Sequence, residues 1–503
     1  MRLLDQGRAR LARSPWTFVL AATGGVWWAL LFGQAEHPLQ PWFAFAPLLL
    51  CLGAARPGWL GFVHGVAFWL TAIPWIVPTV VTYGQMEGWL GGLLFLALAA
   101  YLALYSGLFA RLGAPLWRRG GAAAWLGLPA LWVSLEVLRA VALTGFPWNP
   151  IGHAFLAVPG ALPLAAWVGV WGVSALVVVA NLGTARALWL GRWRELALAA
   201  AGCLLVLSLA GRFSLPSSPL SAPGLPMPVR LLQPNIQNLV TWDDQKIAEN
   251  LRKVFDLSYQ ACDQAGALVV WPESAGWPFS LTGDGGFRSQ VESLAARGCP
   301  VLLNSSHEVE PGAWYNSGFL VASGQEPVRA DKRHLVPFGE YVPLARLFPF
   351  ISRIARNAGD FRAAQGISLL PWEDQRIGLA ICFEVIFPSE VAQLVEHGAS
   401  ILLTVTNDAW YGDTAAPWQH LAAARFRAAE NRRTLVRAAI TGVSAVIGPR
   451  GEVEQQLGVG EEGIIRASVL GREERSPYSR RPWAVPLIMA VTALFFVLRE
   501  RKR

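Results

Sequence analysis

Long apolar segments fill most of the first 210 residues and recur once near the end of the chain. The hydrocarbon core of a bilayer is about 30 Å thick, so a helix that crosses it needs about 20 mostly apolar residues. On this measure the pattern predicts about eight membrane spans, seven before a more polar block and one after it. Their approximate limits are 16–33, 42–54, 57–78, 88–110, 121–141, 163–185, 196–210 and 483–499.

The pattern changes after residue 212. The segment 213–227 is rich in Pro and Ser, which is typical of a linker. Beyond it, short apolar runs alternate with stretches of helical periodicity, as in a layered α/β domain. The predicted strands are 229–232, 267–271, 301–304, 317–321, 377–382, 401–406 and 444–447, and the predicted helices are 244–264, 286–297, 388–398 and 418–431. The predicted domains are a membrane domain (1–212), this linker, an α/β domain (228–482) and a final span with a basic tail (483–503).

Charge adds an orientation to this organisation. The net charge is +8, but the arginines of the first half stand at the ends of apolar segments and form no soluble patch, which argues against nucleic acid as a partner. Lys and Arg mark the cytoplasmic ends of spans. Both termini are basic, whereas the loops 34–41 and 79–87 contain no Lys or Arg. We therefore predict a multi-pass protein of a bacterial inner membrane, with both ends in the cytoplasm and 228–482 in the periplasm.

The chain has five cysteines. Cys51 and Cys203 lie in apolar runs, where packing is the expected role. Cys262 and Cys299 could form a disulfide, which the sequence alone does not decide. No Cys/His cluster has the spacing of a metal site, so neither a metal nor a cofactor is expected.

Three segments at predicted strand ends carry candidate chemistry. Glu273, in Trp-Pro-Glu-Ser, follows an apolar strand and suits a general base, although a surface turn is the simpler interpretation. Lys332 begins a mixed loop and could stabilise an oxyanion, or the loop could merely be solvated. Cys382 ends a buried strand in the manner of a nucleophile elbow, or it could be an inert core residue.

Together the three segments are similar to the Glu-Lys-Cys triad of the nitrilase superfamily. Their sequences WPES, DKRHLVPFGEY and GLAICFE, placed after seven spans, resemble the apolipoprotein N-acyltransferase family over nearly the whole chain. The resemblance implies an α-β-β-α sandwich for the α/β domain. It also implies that Glu273 is the general base, Lys332 the oxyanion stabiliser and Cys382 the acylated nucleophile.

Further roles follow from the same resemblance. Glu340 resembles a second essential glutamate, and Glu384 an acidic residue two positions after the cysteine. Phe383 stands where the family usually has Tyr, so a phenolic hydroxyl is not expected to be needed. The residues that the resemblance assigns to substrate binding are Trp242, Asn316, Tyr341, Trp410, Glu136 and Arg139. For the last two, which can pair on one helix face, snorkelling to the lipid headgroups is an equally good explanation.

The implied reaction is ping-pong transfer of an acyl chain from a phospholipid, expected to be phosphatidylethanolamine, to the α-amine of a diacylglyceryl-cysteine apolipoprotein. A monomer is expected. The apolar and basic segment 344–354 is hypothesised to dip into the membrane interface as a lid. Two rivals stay open at this point, a membrane-tethered amidase that uses water as acceptor and a transporter or scaffold. No inverted repeat supports transport.

Overall fold

The computed structural model describes residues 14–84, 86–213, 225–237, 243–342 and 359–501. The chain divides into two compact units. The first comprises Met1–Ile76, Gly92–Ser214 and Arg481–Arg503, and the second comprises Val77–Gly91 and Leu215–Arg480. The segment Val77–Gly91, which the sequence assigns to the membrane domain, thus groups with the α/β domain.

The first unit is helical, and each predicted span contains at least one helix. Polar residues do not recur at helical spacing in these apolar sequences. The helices are therefore apolar on most faces, as expected of segments that meet lipid. The main helices are Trp16–Ala29, Ala46–Cys51, Pro57–Ala72, Gly88–Arg119, Gly121–Trp125, Gly127–Val141, Ala161–Leu190, Trp193–Arg212 and Ala484–Arg501.

The count of about eight spans is only partly supported. Among the described residues, four helices are long and apolar enough to cross a membrane, and a pair bent by 61° could form a fifth. The bend lies beside Pro74, which cannot donate the backbone hydrogen bond that would continue the helix. Trp16–Ala29 has 14 residues and Ala46–Cys51 has 6, both short of a span, and Ala484–Arg501 ends in charged residues. Hydropathy predicted apolar segments that contain helices, but it did not show where each helix ends.

The second unit contains, in its described residues, twelve strands in two six-stranded sheets. One sheet has the order β12-β1-β2-β3-β4-β5 and the other the order β11-β10-β9-β8-β7-β6. The strands are β1 Met227–Gln233, β2 Leu268–Val270, β3 Val301–Glu310, β4 Ala313–Val321, β5 Val328–Asp331, β6 Leu370–Trp372, β7 Gln375–Ile381, β8 Ile401–Thr406, β9 Leu435–Ala439, β10 Ser444–Ile447, β11 Val453–Leu457 and β12 Gly463–Val469. β1, β2 and β3 are parallel neighbours, as are β7, β8 and β9.

The two sheets face each other across one apolar core. That core joins residues of the first sheet, such as Leu231 and Leu302, to residues of the second, such as Leu379 and Leu403. Helices Asp244–Ala261 and Gly285–Ala295 bury a second apolar cluster on the outer face of the first sheet. Helices Pro388–Glu396 and Ala416–Asn431 pack against strands of the second sheet. The α-β-β-α arrangement expected from the resemblance is confirmed.

A disulfide joins Cys262, at the end of helix Asp244–Ala261, to Cys299, just before β3. The two Cα atoms are 5.7 Å apart. The pairing that the sequence left open is therefore present. The Pro/Ser linker lies outside the described residues over 214–224.

Candidate active site

Cys382 is presented by a sharp turn at the end of β7. Its φ is +51°, in the left-handed region that side-chain-bearing residues rarely adopt, and a short 3-10 turn Cys382–Ile386 follows. Backbone strain of this kind is retained where the surrounding structure fixes it, commonly at functional sites. The side chain is 6% exposed. The elbow predicted from the sequence is therefore present.

Glu273 lies just beyond β2 and is also buried. Its Oε2 accepts a hydrogen bond from the backbone N–H of Asn407 at 3.0 Å. Its Oε1 accepts one from Asn316 Nδ2 at 3.2 Å and lies 3.5 Å from Lys332 Nζ. Ser274, with φ +64°, turns the chain sharply after it. These contacts fix the carboxylate from three elements and exclude the surface-turn interpretation.

Lys332 follows β5 directly and is 1% exposed. Its Nζ donates to Glu340 Oε1 at 2.8 Å and to Glu273 Oε1 at 3.5 Å. Burial alone would lower the pKa of this ammonium, but the carboxylates of Glu340 and Glu273 outweigh burial and hold the pKa above its ordinary value. An ammonium has three N–H donors, so one remains for a developing oxyanion.

Glu340 and Asn316 complete a network around the lysine. Glu340 Oε1 accepts from Asn316 Nδ2 at 2.7 Å as well as from Lys332, and its Oε2 accepts from the Val336 N–H at 2.7 Å. Asn316 therefore bridges the two carboxylates. Its own Oδ1 accepts from Asn304 Nδ2. Glu340 thus contacts the lysine directly, and the Asn316 side chain is linked to the lysine through the Glu340 carboxylate.

The charges of this network act on the nucleophile. Burial raises the pKa of the Cys382 thiol, Glu273 raises it further, and Lys332 acts in the opposite direction without cancelling them. The neutral thiol is consequently the resting form. A thiolate is the reactive form of cysteine, so a nearby base is required when the nucleophile attacks.

Glu384 ties the elbow to the lysine loop. Its carboxylate accepts three backbone N–H donors, from Ile381 at 2.6 Å, Arg333 at 2.7 Å and His334 at 3.1 Å. Phe383 is buried, and its ring lies 5.2 Å from that of Phe387. Packing against neighbouring rings accounts for the place of Phe383, and the expectation that no phenolic hydroxyl is needed stays a prediction.

The other predicted substrate-binding residues have different outcomes. Trp410 is 37% exposed, and its backbone carbonyl accepts from the Thr79 hydroxyl at 2.9 Å. Tyr341 is half-buried, and its carbonyl accepts from the Phe338 N–H. Trp242 and the proposed lid 344–354 lie outside the described residues. Substrate contact by these residues stays a prediction.

Glu136 and Arg139 lie inside the first unit, 3% and 4% exposed. Glu136 accepts from the Ile151 N–H at 2.7 Å, and Arg139 donates to the carbonyls of Phe146 and Trp148 at 2.7 and 2.8 Å. Their charged groups therefore hold the backbone of the loop after helix Gly127–Val141. Snorkelling to headgroups is wrong for both, since neither side chain reaches the surface.

A buried polar group next to the nucleophile was not predicted from the sequence. It consists of Thr406, Asp408, His420 and Arg437. Thr406 ends a predicted strand parallel to that of Cys382, which is a usable signal. His420 and Arg437 stand in an ordinary helix and strand, and nothing local in the sequence distinguishes them.

Two family models match the chain. One, described as carbon-nitrogen hydrolase, matches residues 229–472, and the other, described as the apolipoprotein N-acyltransferase N-terminal domain, matches residues 24–183. The sandwich fold with its buried Glu, Lys and Cys thus defines a carbon-nitrogen hydrolase domain attached to a helical membrane-type unit.

Curated relatives are similar over almost the full length. The apolipoprotein N-acyltransferase of Geobacter metallireducens is 36% identical and the match covers 96% of each chain. That of Ralstonia nicotianae is 34% identical, covering 98% of this chain and 95% of the relative. The chain belongs to the apolipoprotein N-acyltransferase family. Among solved structures, an amidase from Nesterenkonia sp. is 23% identical over 51% of this chain and 96% of its own, with a TM-score of 0.39.

Family membership bears on the two rivals. The relatives that carry the acyltransferase name match the helical unit as well as the hydrolase domain, so a tethered amidase is not favoured. The chain is an acyltransferase enzyme, and the transporter or scaffold alternative is set aside.

Proposed function

We propose that the chain transfers an acyl group from a phospholipid to the α-amine of the N-terminal diacylglyceryl-cysteine of apolipoproteins, through a thioester on Cys382. The observation that carries the proposal is the buried arrangement of Glu273 and Lys332, whose charges both act on the Cys382 thiol. The family name of the full-length relatives supports the acceptor and the bond that is formed.

In the first half-reaction, Glu273 removes the thiol proton as the Cys382 sulfur attacks the ester carbonyl of the donor. The oxyanion of the tetrahedral intermediate receives the remaining N–H of Lys332. The carbon–oxygen bond then breaks, the lysophospholipid leaves with the proton held by Glu273, and the thioester remains.

In the second half-reaction, the acceptor amine attacks the thioester and Lys332 again stabilises the oxyanion. The carbon–sulfur bond breaks as the amide forms, and the amine gives up a proton that restores the Cys382 thiol through Glu273. Water must be kept from the thioester, because hydrolysis would waste the acyl group. Burial of all three side chains supports such exclusion.

We propose about eight spans with both ends in the cytoplasm, phosphatidylethanolamine as donor, and a monomer. A periplasmic location of the hydrolase domain is supported by the basic ends of the helices and by the Cys262–Cys299 disulfide, because disulfides persist in oxidising compartments. A location in the bilayer suits the two lipid substrates, because moving their acyl chains from the membrane into water costs free energy.

Product analysis tests the proposal. The purified enzyme is given vesicles of phosphatidylethanolamine with a labelled sn-1 chain and a synthetic diacylglyceryl-cysteinyl peptide. We expect the labelled chain in amide linkage on the peptide, together with lysophospholipid in equal amount, as measured by mass spectrometry. Labelled free fatty acid with an unmodified peptide would instead indicate hydrolysis and refute the transfer reaction.

A further inference from the structure

A second set of polar side chains lies next to the nucleophile, on the side of β8 and β9. These side chains have no role in the two half-reactions proposed above. Thr406 ends β8, Asp408 lies in the next turn, His420 is in helix Ala416–Asn431, and Arg437 is in β9. Each is at most 1% exposed. Burying so many polar groups is costly unless they satisfy one another, so their arrangement calls for an explanation.

Thr406 is the member that touches the reacting atom. Its Oγ1 lies 3.3 Å from Cys382 Sγ and 2.8 Å from Asp408 Oδ1. A hydroxyl has a single proton to donate. Beside the neutral thiol, the hydroxyl can donate to the carboxylate and accept the S–H. Beside a thiolate, which only accepts, the same hydroxyl can turn its proton to the sulfur.

Asp408 is bound in a way that allows the Thr406 hydroxyl to change its acceptor from the carboxylate to the sulfur. Its Oδ2 accepts from Arg437 Nη2 at 2.5 Å. Burial would raise the pKa of the Asp408 carboxyl, but the charge of the neighbouring Arg437 guanidinium outweighs burial and brings the pKa to about 2. The carboxylate is therefore charged, and because Arg437 stays bound to it, it can lose the hydrogen bond from Thr406 without becoming an isolated charge.

His420 fixes the backbone of the nucleophile. Its Nε2 lies 3.1 Å from the carbonyl oxygen of Cys382, which only accepts, so Nε2 carries a proton. Burial and the neighbouring Arg437 lower the pKa of the ring, which is consequently neutral, and Nδ1 accepts from Arg437 Nη2 at 3.2 Å. The peptide at the strained φ of +51° is thereby held from behind.

We propose that Thr406 is a further catalytic residue, whose hydroxyl donates to the Cys382 sulfur whenever that sulfur carries negative charge, and that Asp408, His420 and Arg437 are positioning residues for this hydroxyl and for the elbow. No covalent bond of Thr406 forms or breaks, and the thiol proton still goes to Glu273. The hydroxyl acts twice, when the sulfur attacks the donor ester and when it leaves the second intermediate. The inference rests on the proposed role of Cys382 as nucleophile.

The test compares Thr406→Val, which keeps the shape but lacks the hydroxyl, with Thr406→Ser, which keeps the hydroxyl. We expect Val to slow thioester formation by ~10- to 100-fold, because a hydrogen bond to a charged group is lost, and Ser to stay within about 3-fold of the unmodified enzyme. Alkylation of Cys382 by iodoacetamide, followed against pH, is the readout that packing alone would not move. The titratable groups around the sulfur are Glu273, Lys332, Asp408, Tyr411 and His420.

With Val we expect the alkylation profile to shift to higher pH, since the thiolate loses a donor. With Asp408→Asn we expect a shift to lower pH, since a negative charge near the sulfur is removed. An unmoved profile in Thr406→Val, or a Ser variant as slow as Val, would overturn the inference. If Asp408→Asn does not fold, the Val and Ser pair decides alone. If the unmodified enzyme forms no thioester, the proposed function is wrong. If the unmodified enzyme forms the thioester and Thr406→Val behaves like it, only the inference about Thr406 is wrong.

Discussion

At the residue scale, the reactivity of Cys382 depends on opposing influences on one sulfur atom. Burial and Glu273 raise the pKa of the thiol, whereas Lys332 lowers it. The same carboxylate that disfavours the thiolate at rest is the group placed to take its proton during attack. A thiol that stays neutral until a substrate carbonyl arrives is protected from unwanted reactions.

The substitution Glu273→Gln should separate these two effects. Removal of the carboxylate lowers the pKa of the Cys382 thiol, so we expect faster alkylation by iodoacetamide at pH 8. Loss of the general base should slow thioester formation from phospholipid by at least ~100-fold. The two rates are measured on the same preparation by peptide mass spectrometry.

Glu326→Gln is the matched control, because the side chain of Glu326 is 90% exposed and lies away from the thiol. Both of its rates should equal those of the unmodified enzyme. If Glu273→Gln left acylation within about 3-fold, Glu273 would not be the base, and if it slowed alkylation, the carboxylate would not be what raises the pKa of the thiol.

At the scale of elements, the site is built from strand ends and the loops that follow them. β2 leads to Glu273, β5 to Lys332 and β7 to Cys382. Period and composition predicted seven of the strands, because these are runs of buried apolar residues. They missed β5, β6, β11 and β12, which are short or carry exposed positions, such as the Glu-Gln-Gln of β11, and they missed β9, whose buried run is interrupted by Arg437.

The candidate site was predictable for a different reason. Glu273, Lys332 and Cys382 lie in segments that resemble a known family, whereas their spacing alone allowed an ordinary turn, a solvated loop and an inert cysteine. The supporting contacts were not predictable, since the Asn407 N–H on Glu273 and the His420 ring behind Cys382 depend on the pairing of distant segments. The type of a residue does not indicate where its backbone N–H will point, so the contact from Asn407 to Glu273 could not be predicted from the sequence.

The tie between the elbow and the lysine loop gives a prediction at this scale. In Glu384→Gln an amide NH2 must face one of the three backbone N–H donors that the carboxylate now accepts. A buried donor left unpaired costs roughly 1–3 kcal/mol. We expect a lower unfolding midpoint in thermal denaturation of the detergent-solubilised enzyme, together with slower thioester formation.

Glu396→Gln is a suitable comparison, since the Glu396 side chain is 54% exposed. It should leave both the midpoint and the rate unchanged. An unaltered midpoint in Glu384→Gln would mean that the three backbone contacts do not stabilise the site.

At the scale of the whole molecule, a helical unit rich in apolar segments accompanies a disulfide-bearing α/β domain. Hydropathy and basic residues predict which ends of the helices face the cytoplasm. They do not predict whether an apolar segment forms one straight helix or a bent pair. The bent pair Pro57–Ala72 and Ile76–Thr82 is the clearest case.

The orientation can be tested with single cysteines in intact cells. A cysteine replacing Glu326, whose side chain in the α/β domain is 90% exposed, should react with a membrane-impermeant maleimide added outside spheroplasts. A cysteine appended after Arg503 should react only once the membrane is opened. The opposite pattern would place the catalytic domain in the cytoplasm.

The most direct measurement is the mass of the Cys382 peptide after the purified enzyme has been incubated with phospholipid alone. We expect the added mass of one acyl chain on Cys382, removable by hydroxylamine as a thioester should be, and lost when a diacylglyceryl-cysteinyl peptide is supplied. The variant Cys203→Ser should behave in the same way, because Cys203 is buried in the helical unit. An acyl chain on any other residue, or none on Cys382 while the product amide still forms, would contradict the mechanism.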